Sequence, residues 1–543
     1  MTIKNSVRNS ASAFHIFGQF LRYTIRAAFF FILLSAASIF AEENPQTVYV
    51  IREIDYDITG RSHPYYLNMY GDFTEGERIQ GEENLENYLA RKIQLLNNQR
   101  VLDDEFTAID YFLGGPEPDG ALPVKLLVHV TDTNNLIILP YPKYDSNDGF
   151  SLTLKARDYN FLGTMSPLRI DLGWRLDDKK KNHFNFMIDS DTPFQAFNLD
   201  WNINFDHDFR LTLGQPLYYQ NVSGLSFKVP VKSTTITTGF NHYLTFNEEI
   251  PDEYRDVYTY TDEYYRPYGA TEIFSGWNIP LGIEIGDYGQ LSYTPGLSAR
   301  INYPYGKMDL PHKPSAVFSQ SIGFGRIDWI GNYRKGLSVS IENSNTWYFD
   351  RSDAPLAVGL NAEAVVYWPF NKYIGAYSRL KYRQWWQWSD TAGRNLPYYS
   401  GGDVIRGVWD NDIRADYMLS LNFDLPIRVL KFWPSEWFEN RKLHIFDFEM
   451  HLSPFLDLAM FEGPYSKLKD PSNPWAGKTD FGFSDLIPAT GIEIIVFPAI
   501  FRSFIIRGSI GYDINKIRKN GLKLKGGFFP EYDEIFIGVD LFY

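Results

Sequence analysis

The chain of 543 residues is longer than one ordinary soluble domain, so two domains, or one large barrel with an extension, are expected. The absence of cysteine excludes disulfides, thiolate catalysis and cysteine-based zinc sites. A formal charge of −14 excludes nucleic acid as a natural partner, because neutralising phosphates needs clustered Lys and Arg.

Residues 1–41 carry Lys4, Arg8, Arg22 and Arg26 and no acid, and the apolar run Ala27 to Ala41 leads into Glu42-Glu43-Asn44-Pro45. This basic, apolar, small-residue order is that of a secretory signal peptide. Cleavage is expected after Ala41, or earlier at the small pair Ser35 and Ala37; an uncleaved anchor is the alternative. No later window holds roughly 18 apolar residues in succession, so a membrane-resident chain must cross as a closed barrel.

Residues 42–135 read as a small α+β domain. Val48 to Ile51 opens a strand, and Leu85, Tyr88, Leu89, Ile93 and Leu96 fall on one face of a helix around Glu82 to Leu96. Phe106 to Leu113 and Val124 to Val130 read as strands on either side of the turn cluster Gly114 to Gly120. This strand, helix, strand, strand order ahead of a barrel resembles a polypeptide-transport-associated (POTRA) domain.

Residues 136–543 read as a transmembrane β-barrel, with alternation clear from about Gly149. Phe197 to Phe205 sets five apolar residues against four polar ones. Leu419, Leu421 and Phe423 oppose Ser420, Asn422 and Asp424, and Phe446, Phe448, Met450 and Leu452 oppose Asp447, Glu449 and His451. A mean hydropathy of −0.29 with 17% aromatic residues fits such alternation better than a helical bundle. At about 25 residues per strand and connection, the region gives roughly 16 antiparallel strands. A secreted sandwich, its apolar face covered by a second sheet, is the bland alternative. Trp385, Trp386 and Trp388 fit an interfacial girdle, and the acidic, Tyr-rich stretch 252–268 fits a solvated loop.

The final stretch, Phe536 to Tyr543, is similar to the terminal recognition strand of bacterial outer-membrane proteins. Gly538, Leu541 and Tyr543 match it, while Phe536 replaces the usual polar residue.

Between two predicted strands lies Gly401-Gly402-Asp403-Val404-Ile405-Arg406-Gly407-Val408-Trp409. It resembles the loop motif of the bacterial surface-antigen superfamily, which includes BamA, TamA and the two-partner secretion transporters. In that family a Val/Ile-Arg-Gly-aromatic tetrapeptide on the sixth extracellular loop folds back into the lumen. Here Val408 stands at the aromatic position, followed by Trp409. Phe455 and Asp457, within Pro454 to Ala459, resemble the family's lumen-facing Phe-x-Asp-x-small motif. Asn160-Phe161-Leu162-Gly163 and the set Gly491, Arg507, Gly511 are further echoes. A guanidinium inside a barrel needs a carboxylate, so Arg406 is expected to pair with Asp457, and Gly407 to let the loop tip turn closely.

The resemblance implies an integral protein of the bacterial outer membrane with its N-terminal domain in the periplasm. It would insert or translocate polypeptides, without cofactor or metal. Its expected partners are the lipid bilayer, unfolded or secreted polypeptide clients captured by the POTRA-like domain, and periplasmic accessory proteins. A passive porin or structural surface barrel is the competing reading. An enzyme is not expected: the nine His show no metal spacing, and the same-facing pair Asp447 and His451 is expected to be structural.

Overall fold

The computed structural model describes residues 47–539 except 146–148, 177–181, 214–216, 247–267, 305–313, 350–355, 388–398, 401–403, 409–413, 416, 463–480, 484–485, 521–523, 526–528 and 531–532. The expected signal peptide, the stretch 252–267 and Trp388 therefore lie outside the described residues.

The N-terminal unit is a four-stranded sheet in the order Arg78–Gln80, Val48–Thr59, Leu122–Thr131, Ala108–Leu113. The two central strands run parallel and the flanking pairs antiparallel. Period-2 alternation puts Val124, Leu126, Val128 and Val130 on the buried face. The helix Glu82–Asn97 lays Leu85, Leu89 and Leu96 against them. Lys92 shares that buried stripe because its ammonium finds the Asp72 carbonyl and lies 4.8 Å from the centre of the Tyr88 ring. A second helix, Pro64–Gly71, has no counterpart in the hydrophobic pattern. Pro64 presets its first turn, and its aromatic residues pack onto the same core.

Most of the remaining strands form one closed antiparallel barrel, while Tyr399–Ser400 with Arg414–Ala415 and Leu524–Lys525 with Phe529–Pro530 pair as two small separate sheets. Among the described residues the barrel's ring contains nineteen strand segments. Two of them, Tyr417–Asp424 and Ile427–Phe432, pair end to end with the same neighbour Phe448–Glu462, which leaves eighteen strand positions. The sequence estimate of about 16 was low because connections on one side are very short. The strands from Asn182 to Gln387 run 13 to 17 residues each, and pairs such as Phe197-Asn198, both at positive φ, and Gly331-Asn332, with Gly331 at positive φ, form two-residue turns. Phe197 and Asn198 thus leave the strand expected to begin there, which spans Leu199–Thr212. Asp533–Val539 pairs along Ile506–Asp513 and meets the first barrel strand, Leu136–Asp145, at Phe536 opposite Asp145.

Leu154, Leu172, Ile273, Leu297 and Leu380 point outward and are exposed, with no second sheet over them. That uncovered apolar face disposes of the sandwich alternative. No helix among the described residues is long and apolar enough to cross a membrane.

The sheet domain sits against the turns at one end of the barrel. Asp132 accepts from the Arg61 and Ser62 amides at 2.6 and 3.1 Å and from the Asn160 side chain at 3.0 Å. The Gly163 carbonyl accepts from the His63 amide at 3.2 Å. On the far side, Arg100 donates to the Arg502 carbonyl at 2.5 Å and stacks 4.2 Å from the centre of the Trp329 ring. Burial and the neighbouring Arg502 pull its pKa down to about 9, which leaves it charged at neutral pH. Asn98 bridges the Trp329 amide and the Asp328 carboxylate, both at 2.9 Å.

Gly163 tests this docking. Its φ is +73°, and an added Cβ would fall 2.1 Å from the Arg61 carbonyl oxygen. Gly163→Ala should weaken the junction by on the order of 1–3 kcal/mol. The expected readout is faster tryptic cutting at Arg61 with an unchanged heat-modifiable gel shift of the barrel.

Candidate functional site

Four adjacent strands build one wall of the barrel interior: Tyr417–Asp424, Phe448–Glu462, Ile487–Pro498 and Ile506–Asp513. Their register sets Asn422 opposite Asp457, Asp424 opposite Phe455, Phe455 opposite Gly491, and Gly491 opposite Gly511. Because side chains alternate, Asp424, Asp457 and Glu493 all face inward, while Leu421, Leu456 and Ile492 face out.

The loop segment Val404 to Val408 lies against this wall and is buried throughout. Val404, Ile405 and Val408 pack with Met418, Ala459, Phe461, Ile487 and Ala489. Burying each of these loop side chains contributes about 1.5–3 kcal/mol. Asn422 donates to the Val404 carbonyl at 2.8 Å. Val408 is small enough to join this aliphatic cluster.

Arg406 is the centre of the arrangement. Its Nε donates to Asp457 Oδ2 at 3.0 Å and its Nη2 to Asp457 Oδ1 at 2.9 Å, a two-pronged pairing. The Arg406 backbone amide also donates to Asp457 Oδ2, at 2.8 Å. A second two-pronged contact engages Asp424, at 2.8 and 2.9 Å, and Nη1 reaches Glu493 at 3.2 Å. The guanidinium lies over Phe455, 3.8 Å from the ring centre. Arg507 supplies a further cation 3.4 Å from Glu493. Dehydrated charges are tolerated here because each has a partner of opposite sign at hydrogen-bond distance.

Glycine permits the close approach. Gly407 has φ +87°, and a Cβ there would fall 2.4 Å from the Tyr512 amide nitrogen. Gly511 faces it, and a Cβ on Gly511 would fall 2.6 Å from the Gly407 nitrogen. The loop therefore meets the wall backbone to backbone.

The structure brings together Ile405, Arg406, Gly407, Phe455 and Asp457. Gly401, Gly402, Trp409, Leu541 and Tyr543 lie outside the described residues, and Gly538 pairs opposite Arg507 on the adjacent strand. Asp424 was legible as inward-facing but had no assigned partner, and Glu493 went unmarked. Its signal was there: one acid between outward Ile492 and Ile494. Asp447 and His451, expected as a pair, part company. Asp447 accepts from Ser435 and His444, whereas His451 stacks 4.7 Å from the centre of the Tyr333 ring and lies 3.5 Å from Glu449.

No family model matches the chain, and no curated protein matches it by sequence. Solved structures with a similar course include CdiB from Acinetobacter baumannii, at 11% identity and a TM-score of 0.46 over 91% of this chain and 74% of that one. BamA from Haemophilus ducreyi lacking POTRA domains 1–3 aligns at 13% identity and a TM-score of 0.37, over 90% and 84%. CdiB from Escherichia coli aligns at 10% identity and a TM-score of 0.39, over 92% of each chain.

Arg406→Ala should cost about 3–5 kcal/mol locally, because it leaves Asp424 and Asp457 buried without their cation. The barrel should still form, but its single-channel conductance in planar bilayers should rise as the loop leaves the wall. Arg406→Lys should fall between the two, since an ammonium keeps the charge and loses the paired geometry.

Proposed function

We propose that the chain is an outer-membrane barrel of the bacterial surface-antigen type that inserts polypeptides into the outer membrane or passes them across it. The observation that carries this reading is the loop held inside the barrel by Arg406. A passive pore gains nothing from burying a guanidinium and three carboxylates to pin a segment in its own lumen. A protein-handling barrel has a use for an interior element that is firmly seated yet held by displaceable polar contacts.

In this reading the N-terminal sheet domain faces the periplasm and receives the client. The strand Val48–Thr59 is paired on both sides only at Tyr49 and Val50; from Arg52 to Thr59 it pairs on one side, with Leu122–Thr131. An open edge is Ala108–Leu113, which pairs on one side only and where Phe112 and Leu113 are exposed. An extended client segment can add there as a further strand, its backbone supplying affinity and its alternate side chains specificity. The docking of this domain on the barrel turns then sets a captured segment beside the barrel mouth.

The test is depletion of the protein followed by inventory of the outer-membrane and secreted proteomes. Loss of many barrels supports insertion, and loss of one exoprotein supports translocation. An unchanged inventory overturns the proposal in favour of a passive or structural barrel. A photo-crosslinker at Phe112 should trap unfolded precursors, and one at Glu86, on the helical face, should not.

A further inference from the structure

Between Ile427–Phe432 and Phe448–Glu462 the chain does not turn back tightly, as it does at Phe197-Asn198 and Gly331-Asn332. The neighbouring turn ends at Tyr373, whose carbonyl accepts from the Arg428 amide at 2.8 Å. The strand then continues four more residues, roughly 13 Å, before Trp433. A short helix Pro434–Trp437 and a 3-10 turn Arg441–Phe446 cap this extension. It is a built element: buried Asp447 accepts from the Ser435 amide at 3.1 Å and from His444 Nδ1 at 2.9 Å, and Asn440 accepts from the Lys442 amide.

Its surface is unusual for one that rests in water. Trp437, Phe438, Ile445 and Phe446 are 57, 70, 57 and 59% exposed. They are not scattered. Trp437 packs edge-on against Phe432, ring centres 5.0 Å apart, and Phe432 pairs opposite Phe448. Phe432 and Phe448 share the face of Leu430 and Met450, which is the outward apolar face of the barrel strands continued downward. Arg428 turns inward to Glu449 at 3.1 Å and Lys431 lies 3.6 Å from Glu436, so around this patch Arg441 and Lys442 stand against Glu439, a small local cationic excess on a chain of net charge −14.

We propose that this extension is an interfacial foot. It lays Trp437, Phe438, Ile445 and Phe446 into the acyl–headgroup boundary of the near leaflet and sets Arg441 and Lys442 against anionic phospholipid headgroups. Two observations single out lipid as the occupant. The aromatic surface is continuous with the face that the barrel itself turns to the bilayer, and its rim has the sign that anionic headgroups attract. Tryptophan and phenylalanine beside Lys and Arg is the composition such boundary segments use. The foot rests on the membrane-spanning part of the proposed function, and not on which polypeptide is handled.

The chain has no cysteine, so single introduced cysteines report position directly. Spin labels at Leu421→Cys, Phe438→Cys and Lys442→Cys would be read for oxygen and nickel-chelate accessibility, with the full chain in vesicles of phosphatidylethanolamine and phosphatidylglycerol. The foot requires the 438 label to be oxygen-rich and shielded from nickel, shallower than 421, with 442 at the headgroups. A water-exposed 438 label beside a deep 421 label overturns the foot alone. Water exposure at both overturns the membrane-spanning reading instead. Shielding of 438 that appears only after periplasmic extract is added identifies a protein partner and overturns the lipid assignment. In the same vesicles, Arg441→Gln with Lys442→Gln should bring the preference of boundary lipid for phosphatidylglycerol over phosphatidylethanolamine toward one. An unchanged preference overturns the headgroup contact.

Discussion

The interior is organised by the requirement that a guanidinium removed from water be matched, atom by atom, with carboxylate oxygens. Arg406 satisfies this through Asp457 and Asp424 in two-pronged contacts and through Glu493. Those three acids belong to three different strands. They converge only because neighbouring strands hold one register, since a slip of a single residue would turn each acid to the lipid side. The ion cluster and the strand alignment are thus the same constraint seen from inside and outside the wall.

Backbone geometry makes the cluster reachable. Gly407 and Gly511 approach so closely that neither site has room for a Cβ, and the aliphatic trio Val404, Ile405 and Val408 fills the space between loop and wall. Apolar burial supplies non-directional stabilisation, while the charges choose one seating of the loop. A purely apolar seat could hold the loop, but in many near-equivalent positions.

The junction between the sheet domain and the barrel is held by a different chemistry. Asp132, Ser62 and Asn160 form a compact polar knot, and Arg100 reaches across to carbonyls of another turn. With contacts on opposite sides of the rim, the sheet domain is fixed in position rather than swinging on one strand. The Asn160 to Gly163 stretch, marked in the sequence as an echo near the first strand, takes its meaning from this junction.

Local physics made much of the protein legible in sequence. Alternation at Leu419 to Asp424 and Phe448 to Leu452 showed which side chains face in, although Phe446 and Asp447, read as part of the second run, belong to the turn before it, and helical spacing from Leu85 to Leu96 located the main helix of the small domain. The Arg406–Asp457 pairing was also foreseeable, since a lumen cation demands an inward acid. What alternation cannot count is how many strands close the ring, because turn length depends on positive-φ residues such as Phe197 and Asn198 whose type does not announce them. Nor can it bring Asp424 and Glu493 to the same guanidinium, or separate His451 from Asp447. Those outcomes depend on register and on which distant strands become neighbours, and only the tertiary structure decides them.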